Sequence, residues 1–522
     1  MKRRDFVKNT LPVAITLPSL LNGLTVKAFA SHFLFDALLN VNNETDRVLV
    51  MIQLSGGNDG LNTVIPIELY SNYFNARNNV AIPQNSVLSL NNNIKMGLHP
   101  SMTGMQQLYN NGMLSILQAV GYPNPNFSHF RATDIWMSAS DSNVNVPSGW
   151  AGRYLNTQYS GYPNGYPNGN MPDPLAIQIG SFASLAFQGP AVNMALSVSN
   201  ASSFYNLING VQDTAPNTPA GKELTYIRDV ARQTNQYGTA IVSAYNNVAQ
   251  QSTYPNTNLA NQLKIVARLI KGGLKTRLYM VSMGGFDTHS LQVNTTDTTT
   301  GSHANLLLQL SDAVKAFNDD LQYLQIQDRV LGMTFSEFGR RIKSNSSLGT
   351  DHGAAAPMFL FGSQVLGGVI GDNPPIPSAV TVNDNIPMQY DFRSVYASVL
   401  AKWFCADDTV LNTSLLNNFQ TLPLLKTQQC STPPPPPSDD LLTNYPNPFS
   451  STTTIKFKTN GGHTVIQIID SIGRVIANIG ENTYAPGTYT VEWNSNGLSS
   501  GVYYARLQNG SISQVRSMLK LR

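Results

Sequence analysis

Four short stretches of this chain set carboxylates and imidazoles among glycines: Ser55-Gly-Gly-Asn-Asp-Gly60, Gly284-Gly-Phe-Asp-Thr-His289, Ser336-Glu-Phe-Gly-Arg340 and Gly349-Thr-Asp-His-Gly353. The glycines let the backbone turn sharply or approach a ligand, and Asp59 supplies a hard oxygen donor. Asp287 and His289, two residues apart, pair a carboxylate with an imidazole, a donor set suited to zinc or another borderline divalent ion. Glu337, Asp351 and His352 extend the candidate ligands. Seven histidines occur, and His99, His129, His289, His303 and His352 all fall in the middle of the chain. For His303, which opens a helical pattern, and His99, which precedes Pro100, capping or packing is an equal reading. Ser128 lies in Asn124-Pro-Asn-Phe-Ser-His-Phe-Arg131, ahead of a helical stretch through Ala139. A hydroxyl there gains from the helix dipole, and a metal-activated serine is a nucleophile for phosphoryl or sulfuryl transfer. An ordinary N-capping serine has the same sequence signature. Arg340 is a candidate partner for an anionic group.

These residues need elements to bring them together. Arg47 to Leu54 is a nearly continuous apolar run, as expected of a strand buried on both faces of a parallel sheet. The segments 113–120, 174–180, 277–283, 329–335 and 357–361 read alike, and helical patterns over 222–248, 259–270, 303–324 and 392–404 separate them. Alternation of this kind predicts an α/β fold, a mainly parallel sheet sandwiched by helices, with ligands at the carboxyl ends of the strands. Three of the four glycine-bearing stretches directly follow predicted strands, and the fourth directly precedes one.

The rest of the chain carries addresses. Its 522 residues suggest several domains, and only 12% are charged, about half the ordinary ~25%. The formal charge of +3 excludes a strongly basic nucleic-acid binder. Residues 1–30 carry five basic side chains against one acidic, and residues 441–522 carry seven against three, which leaves 31–440 with 21 against 26. The middle is therefore mildly acidic. Residues 1–30 read as a signal peptide, with Arg3-Arg4 ahead of a short apolar stretch and Ala28-Phe-Ala30 at the cleavage site. The arginines resemble a twin-arginine signal, and an ordinary Sec signal is the alternative. Residues 31–430 form the main domain, with its core over about 45–425. Residues 431–440 form a proline-rich linker. Residues 441–522 alternate apolar and polar between regular turns, predicting a small β-sandwich. Cys405 and Cys430 are the only cysteines, and an oxidising compartment permits a disulfide between them, with two reduced thiols as the alternative.

Two family resemblances follow from these motifs. Tyr445-Pro-Asn-Pro-Phe449, 470–475 (DSIGRV), Leu498-Ser-Ser-Gly-Val-Tyr-Tyr504 and Lys520-Leu-Arg522 resemble the type A sorting domain of the type IX secretion system. That implies passage through the periplasm by the twin-arginine or Sec translocase, then secretion or surface attachment through the type IX machinery. Leu54 to Pro66, Leu98-His-Pro100, Ser128-His-Phe130, Gly149-Trp-Ala-Gly-Arg-Tyr154, Gly284 to Gln292, Phe335 to Arg340, Gly349 to Gly353 and Asp391-Phe-Arg-Ser394 resemble the bacterial domain of unknown function 1501. That family is similar to the alkaline phosphatase and sulfatase superfamily, whose members hold one or two divalent metals. The resemblance implies Asp59, Asp287, His289, Glu337 and His352 as metal ligands and Ser128 as nucleophile, with Asp351, His303 and His129 as further candidates and Arg340 on the anion. Phe338 stands where the superfamily has a second histidine, which shifts one site towards Mg²⁺, Mn²⁺ or Ca²⁺ rather than Zn²⁺. Ser128-His-Phe-Arg131 lacks the proline of the Cys/Ser-x-Pro-x-Arg sulfatase motif, which argues against a formylglycine route. The implied function is metal-dependent hydrolysis of phosphate or sulfate esters. The alternative is a catalytically inactive surface protein of the same fold, or one that binds glycans.

Overall fold

Strand residues alternate between faces, so a strand buried on both sides must feed two cores. In the computed structural model, Val48, Val50, Ile52 and Leu54 enter one core, and Leu49 and Met51 enter the other. The structure describes residues 46–180, 183–199, 218, 237–250, 252–426, 442–447, 449–459, 461–470, 474–509 and 512–521. The expected signal peptide, the linker, Cys430 and the first half of the expected 222–248 helix lie outside these residues. Cys405 is disulfide-bonded. The chain divides into two compact units, Met1–Cys430 and Ser431–Arg522.

The first unit is built on a nine-stranded sheet of β1 (Val48–Leu54), β2 (Leu114–Gly121), β3 (Ala176–Ile179), β4 (Ala195–Val198), β5 (Leu278–Met283), β6 (Val330–Phe335), β7 (Ala356–Phe361), β8 (Gly368–Ile370) and β9 (Tyr390–Asp391). Their order is β8-β2-β7-β6-β1-β5-β3-β4, with β9 against β2. Every pairing is parallel except those of β7, which runs antiparallel to both β2 and β6. The sheet is thus mainly parallel, as expected. The 357–361 run, read as another parallel strand, is the exception.

Helices α1 (His129–Ser138), α2 (Asn258–Lys271), α3 (Ser302–Tyr323) and α4 (Phe392–Ser398) cover the two faces. Leu259, Leu263, Val266 and Ile270 recur at helical spacing on α2 and join the core that holds Val50 and Ile52. Thr257 caps that helix through its side chain. Ile135 and Trp136 of α1, with Phe392, Val395 and Tyr396 of α4, line the opposite core. No helix among the described residues is long and apolar enough to cross a membrane.

In the second unit every pairing between strands is antiparallel, beside one isolated parallel bridge of Phe449 with Lys520. A three-stranded sheet orders Leu442–Tyr445, Thr452–Thr459 and Gly487–Asn494; a four-stranded sheet orders Val475–Tyr484, Gly462–Ile469, Gly501–Asn509 and Ile512–Lys520. Ile455, Phe457 and Trp493 from the first meet Ile466, Ile468, Ala505, Leu507 and Met518 from the second in one core. This is the expected β-sandwich.

Candidate metal centre and groove

Register assembles the site. Leu54 of β1 lies opposite Met283 of β5, and Gln53 lies opposite Phe335 of β6. The loops after these three strands therefore leave one edge of the sheet side by side. The Gly56 N–H donates to Glu337 Oε1 at 2.8 Å, and the Phe286 N–H donates to the Ser55 carbonyl at 3.1 Å. Gly56 has φ +123°, and a Cβ there would sit 2.3 Å from the Asp287 nitrogen, so only glycine allows this approach. Because β7 is antiparallel, its amino end reaches the same edge, with Ala356 opposite Val120. The hairpin of Arg340–Ser344 and Thr350–His352 lies just before it and delivers His352. A parallel β7 would have sent that hairpin to the far edge.

Asp287, His289 and His352 converge. The His352 Nδ1–H donates to the Phe127 carbonyl at 2.8 Å, and the His289 Nδ1–H donates to Asp351 Oδ1 at 3.0 Å. A carbonyl and a carboxylate only accept, so each contact places the ring proton on Nδ1 and leaves a lone pair on Nε2. These two Nε2 atoms face each other at 2.9 Å, and Asp287 Oδ1 lies 3.2 Å from each. Burial works to raise the Asp287 pKa, but the hydrogen bond and positive charge of Arg340 outweigh this and hold it down at about 2. Burial is also the largest influence on His352 and lowers its pKa, favouring the neutral ring. Three electron-rich atoms thus share one point. His129, Asp287 and His352 form an overlapping set whose ligand atoms lie within 4.8 Å of one another. We favour the set containing His289 on distance, since its Nε2 lies 2.9 Å from that of His352 and 3.2 Å from Asp287, whereas the His129 Nε2 stands 3.4 Å from Asp287 Oδ2; His129, its Nδ1 engaged with Glu337 Oε1 at 2.8 Å, keeps that Nε2 as a further donor. The Phe338 ring packs on His129 and His352, with centroids 4.9 and 4.5 Å away, so it buttresses the imidazoles.

Other expected site residues stand elsewhere. Asp59, expected as a ligand, is fully buried, and both its oxygens accept from Arg77 Nη1 at 2.8 Å while Oδ2 also accepts from Gln292 at 2.6 Å. Burial opposes its ionisation, yet Arg77 outweighs this and its pKa is lowered. Arg340, expected on an anion, is also fully buried, donating to the carbonyls of Gly56, Gly57, Phe286 and Thr350 and to Asp287. It fastens the strand-end loops together. His303 is buried behind the cluster, with Nε2 3.0 Å from Asn58 Oδ1. Glu337 is 2% exposed; its Oε1 serves Gly56 and His129, and its Oε2 has no hydrogen-bond partner among the described residues. Ser128 is the N-cap residue of α1, exposed, with no side-chain cap bond. Its neighbours on either side, Phe127 through its carbonyl and His129 through its ring, both touch the cluster. Sequence reasoning missed Arg77, Gln292, Asn345 (which donates to Asp351 at 3.1 Å) and the Phe127 carbonyl. Gln292 and Phe127 lay within quoted motifs, whereas Arg77 and Asn345 did not.

An open groove of about 450 Å³ adjoins the cluster, lined by Gln53, Ser55, His129, Phe130, Asp134 and Glu337 among others.

The family model described as "Protein of unknown function (DUF1501)" matches residues 46–413, and "Secretion system C-terminal sorting domain" matches residues 443–520. No curated protein matches the chain. Among solved structures, PorZ of Porphyromonas gingivalis, a surface component of its type IX secretion system, is 21% identical over 16% of this chain at TM-score 0.13. The chain spans 11% of the length of PorZ. A protein in the alkaline phosphatase superfamily from Vibrio parahaemolyticus is 8% identical, covering 91% of this chain and 82% of its own, at TM-score 0.32. A sulfatase from Pseudoalteromonas sp. is 9% identical, covering 87% and 85%, at TM-score 0.31. At such scores these likenesses add nothing to what the site itself argues.

Proposed function

The chain belongs to the DUF1501 family and carries a sorting domain that marks it for export, and from that premise we propose that its main unit is a secreted, divalent-metal-dependent hydrolase of phosphate or sulfate esters. The observation that carries the reading is the pair of Nε2 lone pairs facing each other across 2.9 Å with an ionised carboxylate beside both. Such a point calls for positive charge. The second contacts of the two rings, Phe127 and Asp351, are those that orient metal-binding histidines. Two imidazoles and one carboxylate fit Zn²⁺ or another borderline ion better than Mg²⁺ or Ca²⁺, because Asp59 is taken up by Arg77, and the unpartnered Oε2 of Glu337 would add one oxygen donor at most.

When bound, the cation would neutralise the ester's anionic oxygens and favour ionisation of the attacking group. Ser128, exposed and without a cap bond, is the candidate attacking hydroxyl. His129, its Nδ1 held by Glu337, offers Nε2 to take or return a proton at that hydroxyl. The amino end of α1 would favour the negative charge that develops there. A second reading, a metal-holding but catalytically silent surface protein, is favoured by the internal commitment of Arg340. Elemental analysis of the purified protein, then a phosphatase, phosphodiesterase and arylsulfatase panel with Asp287→Ala and Ser128→Ala, separates them. The hydrolase reading expects bound metal and an activity that both variants lose. Absence of metal sinks it, and metal without turnover leaves the second reading.

A further inference from the structure

Phe130 is 85% exposed beside the candidate metal centre. A single exposed aromatic is ordinary on a protein surface, so its meaning here rests on its place in the wall of a groove. It lies one helical turn from Thr133 and Asp134, so these three side chains share one face of α1, and all three line the groove. Gln53, Ser55 and Gly285 also line it, and Asp287 and Glu337 join it to the cluster. Its volume of about 450 Å³ falls within the ~300–1,000 Å³ usual for small-molecule sites.

The charge of this lining is one-sided. Asp134, Asp287 and Glu337 contribute carboxylates, and among the described residues no lysine or arginine lines the groove. The nearby cations point elsewhere: Arg131 donates to the carbonyls of Asp141, Ser142 and Val144, and Arg341 donates to those of His352 and Asn383 while lying over the Phe127 ring. A chain of sulfates or phosphates lying along α1 would meet Asp134 with no lysine or arginine beside it in the lining, whereas Asp287 is already paired with the buried Arg340. A ring with an apolar face and hydroxyl edges would instead stack on Phe130 and donate to Asp134, with Thr133, Gln53 and Ser55 as further polar partners.

We propose that this groove seats an uncharged sugar ring of a neutral glycan against Phe130 and excludes polyanions. The inference rests on the hydrolase reading, since it supplies the alcohol side of the ester whose single anionic group faces the metal centre. Phe130 and Asp134 then set specificity.

The test is calorimetric titration of the full chain, with and without EDTA, using cellohexaose and maltohexaose as neutral probes and a heparin hexasaccharide as the polyanion. At least one neutral hexaose should bind, and its Kd should be retained after metal removal. Phe130→Ala should weaken it roughly five- to tenfold, and Phe130→Trp should restore it. Asp134→Lys should give the heparin probe a measurable affinity it lacks in the wild type. Silence of both neutral probes, a Kd unmoved by Phe130→Ala, or heparin binding as tight as the neutral sugar overturns the proposal. Failure of this kind with metal still bound leaves the hydrolase reading standing. Sugar binding by a protein that holds no metal as purified removes that reading and keeps the groove.

Discussion

Two carboxylates at neighbouring strand ends, Asp59 after β1 and Asp287 after β5, have opposite fates. Asp59 is sealed from solvent, and both oxygens are taken by one arginine. Asp287 is 47% exposed, meets three imidazoles and accepts from Arg340 from below. The first holds the scaffold and the second has capacity left over. A strand-end position supplies opportunity, and what arrives from elsewhere in the chain decides whether a carboxylate becomes a brace or a ligand.

The largest effect expected of this contrast is on stability. Asp59→Ala leaves Arg77 charged in a site with no solvent access, so it should cost ~3–5 kcal/mol. Replacing the pair together, Asp59→Leu with Arg77→Met, should recover most of that loss in urea unfolding. An Asp59→Ala protein of ordinary stability that has lost its metal would break the comparison, because Asp59 would then be acting as a ligand.

Next in size is the support of the open cluster. Asp351→Asn weakens the partner that orients His289 and should lower metal affinity ~10–100-fold. Unfolding measured in EDTA should change by only about 0.5 kcal/mol, as for an exposed side chain. Equal loss with and without chelator would mean that Asp351 braces the hairpin and does not tune a ligand.

A third effect is a pH dependence behind the sealed carboxylate. Burial holds His303 down at about 4 and His99 at about 3, against the ordinary 6.5. Between those limits the unfolded chain binds protons that the native chain refuses. Stability in EDTA should therefore be full above pH ~7 and decline as pH falls from ~6.5 towards 4, by up to ~1.4 kcal/mol per unit for each of the two imidazoles. His303→Gln should make that decline shallower. Asp59, whose pKa is lowered, adds its own loss only further into acid. An unchanged slope in the variant would place the titrating groups outside this network.

The sheet was legible because two-sided burial leaves unbroken apolar runs, and 48–54, 278–283 and 330–335 all became strands within a residue of expectation. The direction of β7 was not legible. A fully buried run reads the same either way, and its direction is set by the hairpin that precedes it. In the second unit, Val475–Tyr484 escaped notice because its side chains are half-buried or exposed along its whole length, which erases alternation. At the site, Asp287, His289 and His352 could be singled out by type and spacing. The capture of Asp59 could not, since Arg77 reaches it from a separate helix, Tyr70–Arg77, with nothing in its own surroundings to mark it. Arg340 was open to an anion-binding reading only because sequence does not show a side chain turned inward.

The reversed strand has a consequence for assembly. His352 meets a carbonyl 225 positions away, His129 meets Glu337 across 208, and His289 meets His352 across 63. Contacts this remote form only after long loops have closed, and such closure comes late in folding. The donors come together only when β5, β1, β6, β7 and β2 stand in order, so a nascent or half-folded chain presents scattered side chains and no chelate. On the proposed metal-binding reading, capture would work as a checkpoint on completed topology, and a cation offered too early would find nothing to hold.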